Sequence, residues 1–394
     1  MSDSSRRAEE SREDAREARP RLVGRHLALV FAATFTSLAG VFLLLSVVPM
    51  YAVSGGAGHT GAGLATGSLM LTTVLVELAL PRLLARFGYV PVLAAGLLLL
   101  GLPPLVLAAS SDMTMIIAMS LVRGFGFGIA VVVPNALVAA LAPARRRGEA
   151  LGLFGVTSQL PSVLALPLGV WLAEQVGYTP VFIAASVLPL AALAVLPGLP
   201  RHLASTSAER SFGIVEGLRS AALLRPAAAF ASTAMAAGVL ITFLPEVVPA
   251  AGVAAAALFV QPAATTLMRW WSGRAGDRYG AARLLAPAVL LCAAGVALLV
   301  LVPNPVAVFV SVILFGTGFG VTQNASLAMM YERAPASGYG TVSAIWNIGY
   351  DGGMGIGGVA FGVAAAHTGY PAAFALTAGV IFLTLPLAFL RRTG

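Results

Sequence analysis

Apolar runs of about 20 residues or more, each long enough to cross a hydrocarbon layer about 30 Å thick, recur along nearly the whole chain. In lipid the backbone polar groups have no water to bond with, so such runs fold as α-helices. Only 10% of the 394 residues are charged and 58% are hydrophobic, whereas soluble domains carry about 25% charged residues. The sequence therefore predicts an all-α integral membrane protein.

Polar residues, prolines and glycines divide the chain into twelve predicted transmembrane helices. These spans cover approximately residues 27–51, 62–84, 90–109, 114–141, 149–173, 180–198, 224–245, 251–271, 283–302, 306–330, 341–366 and 371–390. The predicted organisation is a polar N-terminal extension, a six-helix bundle, a linker, a second six-helix bundle and a tail, with bounds 1–26, 27–199, 200–223, 224–390 and 391–394.

The distribution of arginine predicts the orientation of these spans. All 24 basic residues are arginine, and 22 of them lie in the termini or in connectors on one side of the predicted bundles. The connectors on the other side contain no arginine, only Asp112, Glu174 and Glu246. By the positive-inside rule, both termini are expected to be cytoplasmic in a multi-pass protein of the cell inner (plasma) membrane.

Composition also excludes several classes of function. The positive charge is scattered among connectors and forms no patch, so no nucleic-acid partner is expected. Without lysine there is no P-loop lysine and no Schiff base, and the single Cys292 cannot form an internal disulfide. The four histidines are dispersed and no HExxH sequence occurs, so no metal site is predicted.

The two predicted bundles are repeats of each other at an offset of 192 residues. Residues that match at this offset include Gly124 with Gly316, Gly126 with Gly318, Gly128 with Gly320, Gly177 with Gly369 and Tyr178 with Tyr370. Two halves in the same orientation form a parallel repeat about an axis along the membrane normal. Transporters built in this way place the substrate site near the midplane between the halves.

The segment GRAGDRYGAARLL, residues 273–285, resembles the loop signature of the major facilitator superfamily, Gly-x-x-x-Asp-Arg-x-Gly followed by basic residues. With the twelve spans and the six-plus-six repeat, the resemblance extends over essentially the whole chain beyond the N-terminal extension. The first-half copy, residues 81–93, keeps Arg86 and Gly88 but has Pro81 and Ala85 where the signature has glycine and aspartate.

The resemblance implies alternating access to a central cavity, with the loop signature acting in conformational gating. The residues expected to take part in gating are Gly273, Asp277, Arg278, Gly280, Arg86 and Gly88. We expect Asp277 to contact the start of span 5, near Gly148. The small-molecule substrate and the lipid bilayer are the expected partners, the chain is expected to act as a monomer, and no cofactor is expected beyond a proton gradient as the energy source.

Four charged residues inside the predicted spans stand out: Glu77, Arg123, Arg269 and Asp351. A charge at the bilayer centre costs about 2.5–3.5 kcal/mol, so each is a candidate functional residue. We assign proton coupling to Asp351, Arg123 and Glu77. Arg123 begins RGFGFG, which resembles a span-4 signature of the family that is associated with proton transfer.

Each of these charged residues could instead have a purely structural role. Glu77 and Arg269 lie near span ends and could extend to the interface. Arg123 could bond to carbonyl groups of a neighbouring helix, and Asp351 could be a neutral acid bonded across helices. Whether Arg123 and Asp351 touch stays open.

Polar and aromatic residues at mid-span positions are predicted to line the substrate cavity. They are Thr34, Phe35, Ser158, Gln159, Phe230, Thr233, Gln261, Asn324 and Asn347. The hydroxyl groups could instead bond to their own helices, and the aromatic rings could serve in packing. Because polar groups are sparse, the cavity suits an amphipathic or apolar solute better than a sugar.

The leading functional hypothesis is a proton-coupled secondary active transporter that exports small amphipathic or hydrophobic compounds as an antiporter. The span-5 stretch ALPLGVWLA keeps Pro167 and Gly169, but not in the spacing of the Gly-Pro-x-x-Gly-Gly motif found in drug exporters of the family. A proton-driven importer of a small metabolite or organic anion is therefore the alternative. A membrane-embedded enzyme and a non-transporting sensor are more remote alternatives.

Overall fold

The computed structural model describes residues 24–142, 146–200, 217, 219–334 and 338–389, and every regular element in these ranges is a helix. The predicted all-α fold is therefore confirmed for this part of the chain. Most of the predicted N-terminal extension, most of the linker and the tail lie outside the described residues.

Twelve long helices follow one another in the described residues. They are α1 (Arg25–Ser54), α2 (Gly58–Phe87), α3 (Tyr89–Leu107), α4 (Met113–Leu141), α5 (Arg147–Val176), α6 (Tyr178–Gly198), α7 (Ala221–Val247), α8 (Ala251–Tyr279), α9 (Ala281–Leu301), α10 (Pro305–Tyr331), α11 (Tyr339–Thr368) and α12 (Tyr370–Ala388).

Ten of the twelve helices are long and apolar enough to cross a membrane. The other two, α8 and α11, contain 29 and 30 residues, and their glycine and polar residues make them less apolar. In α2, a stripe of exposed leucines at positions 71, 75 and 78 faces outward. A helix in lipid presents apolar residues outward and its small and polar residues to its neighbours.

Single glycines make four of the sharp turns between helices. Gly88 joins α2 to α3 and Gly280 joins α8 to α9, while Gly177 and Gly369 make the equivalent turns before α6 and α12. Their φ angles are 78°, 87°, 84° and 76°, a region that glycine adopts readily and other residues avoid. The two pairs are again 192 residues apart, so the repeat extends to the turns.

One predicted boundary is wrong. Span 8 was predicted to end near residue 271, with GRAGDRYGAARLL as a loop, but α8 continues to Tyr279. Gly273, Asp277 and Arg278 are therefore helical. The reason is that Gly280 alone reverses the chain, so no longer connector is needed.

The connections between helices lie at the two ends of the bundle. We call the end that carries the turns at Gly88 and Gly280 and the starts of α5 and α11 the arginine-rich end. The opposite end, with the turns at Gly177 and Gly369, is the arginine-poor end. The names follow from where the connector arginines lie in the chain.

Equivalent helices pack against each other in the same way in the two halves. In the first half α4 packs on α2 and α3, and in the second α10 packs on α8 and α9. Three glycines of α4 approach the backbone carbonyls of residues 69, 96 and 73, and the matching glycines of α10 approach those of residues 261, 288 and 265. Small residues allow helices to come this close in lipid, where close packing drives helix association.

The halves meet mainly where α2 lies along α11, and also where α5 packs against α8. Gly63 of α2 lies against the carbonyl of Gly358, and Gly355 of α11 lies against Met70. Since the two helices run antiparallel, this contact starts at the arginine-poor end and continues toward the centre of the bundle.

Two glycines of α11 provide a test of this packing. A side chain at Gly357 would collide with the Met235 carbonyl of α7, whereas a side chain at Gly352 would meet nothing within 4 Å. We expect Gly357→Ala to destabilise the protein by about 1–3 kcal/mol through overpacking, and Gly352→Ala to stabilise it by up to about 1 kcal/mol through helix propensity. Thermal unfolding of the detergent-solubilised protein measures both, and equal shifts in the two variants would contradict the packing.

Candidate functional site

The α2–α11 contact brings two acidic residues together. On α2 the contact face repeats at helical spacing through Gly63, Gly67, Met70 and Glu77, and on α11 Asp351 lies one turn before Gly355. The same helical periodicity that aligns the small residues therefore turns both acids toward the partner helix.

We call Glu77 and Asp351 the interface carboxyl pair. The Asp351 side chain is only 5% exposed, and both carboxyl oxygens of Glu77 are buried without a hydrogen-bond donor among the described residues. The two carboxyl groups lie close enough to interact electrostatically, although no hydrogen bond joins them among the described residues. An ionised carboxylate only accepts hydrogen bonds, so the two groups can bond to each other only when one of them holds a proton.

The electrostatics of the pair favour one shared proton. Two ionised carboxylates at close range repel, and burial disfavours each charge further. A pair of this kind holds one proton between two acceptors, as paired carboxyl groups do in other proteins. The arrangement can take up and release a proton at the contact between the two halves.

A cation lies near the pair without neutralising it. Tyr350 lies close to both Asp351 and Arg269, and Nη1 of Arg269 donates to Oε1 of Gln323 at 3.2 Å. Arg269 is the repeat equivalent of Glu77. No ion pair between Arg269 and either carboxyl group is found in the described part of the chain.

Arg123 is 2% exposed and lies apart from the carboxyl pair. Its Nε and Nη2 atoms are buried and have no hydrogen-bond partner among the residues that the structure describes. The question left open by the sequence is answered for this conformation: the neighbour of Asp351 is Glu77 and not Arg123. No sequence signal pairs Glu77 with Asp351, because they lie in different halves and are not repeat equivalents.

Several of the predicted cavity residues satisfy their polar groups within their own helices. Thr34 donates to the Val30 carbonyl at 2.8 Å, Thr233 to the Phe230 carbonyl at 2.8 Å and Ser158 to the Gly155 carbonyl at 3.0 Å. The Gln261 amide donates to Thr265 at 3.1 Å. The half-buried side-chain amides of Gln159, Asn324 and Asn347 make no hydrogen bond in the described residues and stay available.

Four rings form a cluster beside the carboxyl pair, which we call the aromatic cluster: Phe230, Phe319, Trp346 and Tyr350. Phe230 stacks on Trp346 with centroids 4.5 Å apart, and on Tyr350 at 5.8 Å. Phe230 itself is fully buried and does not line an open cavity in this conformation, whereas Trp346 and Tyr350 are half-buried, as is the predicted cavity residue Phe35. Because Tyr350 precedes Asp351, the cluster adjoins the pair.

Three hydrogen bonds join the halves at the arginine-poor end. Ser46 donates to the Ile241 carbonyl at 2.6 Å, and the Thr66 and Thr242 hydroxyls lie 2.8 Å apart. Nδ1 of His59 and the Tyr370 hydroxyl are 2.7 Å apart. These bonds close the arginine-poor end of the interface between the halves.

The predicted gating residues occupy the ends of α2 and α8. Arg86 lies over the Phe87 ring and Arg278 over the Tyr279 ring, both at 5.2 Å, next to the turns at Gly88 and Gly280. Asp277 is exposed and makes no hydrogen bond or ion pair with a described residue. Among the described residues, Asp277 thus makes no polar contact with the start of α5, and the part of the expected contact near residues 143–145 and 148 lies outside what the structure describes.

Two similar six-helix halves that meet around a buried carboxyl pair define a membrane transporter built from a parallel repeat. The sequence profile described as Major Facilitator Superfamily matches residues 30–358 and 271–394. The chain belongs to this superfamily, which makes it a secondary transporter and not an enzyme.

Individual relatives agree with this membership. Over 194 residues the chain is 26% identical to the inner membrane transport protein YajR of Escherichia coli K12, and this match covers 48% of the chain and 41% of that protein. A mutant of the nucleoside transporter NupG superposes with a TM-score of 0.74 at 15% identity, covering 92% of this chain and 100% of that one. The xylose transporter XylE from E. coli, in a partially occluded inward open conformation, gives 0.73 at 13% identity, covering 94% and 99%. At these identities the solved structures show a shared fold.

If the interface carboxyl pair holds one proton, the stability of the protein depends on pH. A proton held by the folded pair and lost on ionisation contributes stability that disappears as the pH rises. We expect thermal stability of the purified protein to fall toward alkaline pH by roughly 1–3 kcal/mol, the scale of an unpaired buried polar group. Glu77→Gln should flatten this dependence, because its amide can donate to Asp351.

Glu332→Gln is the control, since Glu332 is exposed at the end of α10. It should leave the pH profile as in the wild type. A Glu77→Gln profile with the wild-type slope would show that the pair does not share a proton.

Proposed function

We propose that this chain is a proton-coupled transporter in which the interface carboxyl pair carries the coupling proton. The observation that carries the proposal is the placement of two buried acids at the contact between the halves. A transporter couples a proton to movement when binding of the proton changes the free energy of one conformation relative to the other. A proton between α2 and α11 does this directly, because it turns repulsion between the halves into a hydrogen bond.

The substrate we propose is a small amphipathic compound with an aromatic or other flat apolar part. The aromatic cluster offers ring faces next to the carboxyl pair, where a flat group could stack. The free amides of Gln159, Asn324 and Asn347 supply a few hydrogen bonds, while the nearby hydroxyl groups are already engaged. Sites of this composition bind a largely apolar ligand with a small number of polar contacts.

For the direction of transport we propose export by antiport, with the arginine-rich end in the cytoplasm. The orientation rests on the arginine distribution. In the described conformation the arginine-poor end is closed by three hydrogen bonds, so a substrate would enter from the arginine-rich end. With that end in the cytoplasm, the conformation suits loading of a compound for export.

Proteoliposomes that contain a pH-sensitive dye test both the coupling and its direction. Addition of an amphipathic aromatic compound such as ethidium to the outside should make the lumen alkaline, because substrate entry by antiport expels protons. Uridine and xylose serve as polar comparators and should have little effect. Asp351→Asn and Glu77→Gln should each reduce the substrate-driven proton flux at least about tenfold, the scale set by a lost interaction of about 1.4 kcal/mol or more.

Glu332→Gln, a change of an exposed acid, should transport like the wild type. Acidification of the lumen would identify a symporter and overturn export by antiport. Substrate exchange with no proton movement would refute the coupling itself, as would normal coupling in Asp351→Asn.

The proposed gating role of Asp277 in α8 can be tested by comparing it with the equivalent position of α2. Asp277 is exposed here, and we propose that it bonds to the start of α5 only in the opposite conformation. Asp277→Asn should therefore slow transport several-fold without changing the stability of the described conformation. Ala85→Ser, at the equivalent exposed position of α2, should have no effect on the transport rate, and equal slowing in both variants would contradict the role of Asp277.

A further inference from the structure

Arg123 of α4 lines a small cavity between α1, α2 and α4. The cavity has a volume of about 10 Å³, and its wall includes Leu44 and Leu45 of α1, Thr66 of α2 and Ser120 and Arg123 of α4. Ser120 lies one turn before Arg123 on the same helix and is 1% exposed. Its hydroxyl oxygen, like Nε and Nη2 of Arg123, has no hydrogen-bond partner in the described residues. Three buried polar atoms without partners thus surround one small space.

The charge of Arg123 is also unbalanced. A guanidinium group stays protonated in proteins, and a charge buried away from water is costly unless it is paired. The acids of the carboxyl pair face each other, and no described acid forms an ion pair with Arg123. A water molecule could accept hydrogen bonds in the cavity, but it would not neutralise this charge.

We infer that the cavity binds a single monatomic anion, chloride under ordinary conditions, between Arg123 and Ser120. Nε and Nη2 of the guanidinium and the Ser120 hydroxyl are all donors, which is what an anion requires. A space of about 10 Å³ admits one occupant of roughly the size of a water molecule. The inference does not depend on proton coupling at Glu77 and Asp351.

The site also adjoins the contact between the halves. Thr66 lines the cavity and its hydroxyl pairs with that of Thr242 in α7 at 2.8 Å. When Thr242 donates in this pair, the Thr66 hydrogen is free to point at the anion. Anion binding is therefore expected to favour the conformation in which the arginine-poor end is closed.

Thermal unfolding of the full-length protein in detergent tests the site, with sodium chloride, bromide and gluconate compared at equal ionic strength. A ligand that binds only the folded protein raises the Tm as its concentration increases. Chloride and bromide should raise the Tm in a saturable way, and gluconate should not. Ser120→Ala should increase the half-saturating halide concentration several-fold, and Arg123→Gln should abolish the halide effect.

Arg269→Gln is the matched control, because Arg269 is an arginine inside a helix bundle that is half-buried and bonds to Gln323; its halide response should equal that of the wild type. If Arg123→Gln does not fold, the Ser120→Ala shift and a bromide anomalous peak beside Arg123 in crystals decide the question. Equal Tm values in chloride and gluconate would overturn the inference. So would a halide response that is unchanged in both Ser120→Ala and Arg123→Gln.

Discussion

The close approach of α2 and α11 is the contact on which the arrangement of the two halves depends. Helices in lipid gain little from burying apolar surface against each other, so they associate where small residues let their backbones come near. Gly63, Gly355 and Gly358 provide this approach over the half of the interface nearest the arginine-poor end. The same approach has an electrostatic consequence, because farther along the helices it brings the buried carboxyl oxygens of Glu77 next to the buried Asp351. Packing thus creates the environment in which a shared proton matters.

The repeat accounts for the scaffold, and departures from the repeat account for the site. Equivalent glycines make equivalent turns and equivalent helix contacts in both halves. Glu77 corresponds to Arg269, however, and Arg123 corresponds to Phe315. A fold needs similar packing in its two halves, but it does not need opposite charges, or a charge in one half only, at equivalent positions inside the bundle. The charged residues that break the repeat are therefore the ones that most need a functional explanation. Glu77 lies at the contact between the halves, and Arg123 lines the cavity between α1, α2 and α4.

The number of helices, their approximate ends and the repeat could be predicted from the sequence, because each depends on local composition or on regular spacing. The helical course of Gly273–Tyr279 was missed, since its glycines and charges are typical of a loop and only the turn geometry of Gly280 decides otherwise. Glu77 and Asp351 were singled out separately, because a charge in an apolar span is visible in sequence. Their pairing was not predictable, since it depends on how two helices from different halves align. The internal hydrogen bonds of Thr34 and Thr233 could be anticipated only as one of two options.

The energies involved are suited to a transporter that must change conformation. Two carboxylates about 4 Å apart repel by about 4 kcal/mol at an effective dielectric constant of 20. A hydrogen bond contributes about 0.5–1.5 kcal/mol net, so the three bonds that close the arginine-poor end contribute a free energy of the same order as this repulsion. On the proposed mechanism, loss of the shared proton therefore shifts the equilibrium toward separation of α2 from α11, and its return shifts the equilibrium back. A much stronger closure would hold one conformation regardless of protonation, and the modest closing contacts are thus a requirement of coupling.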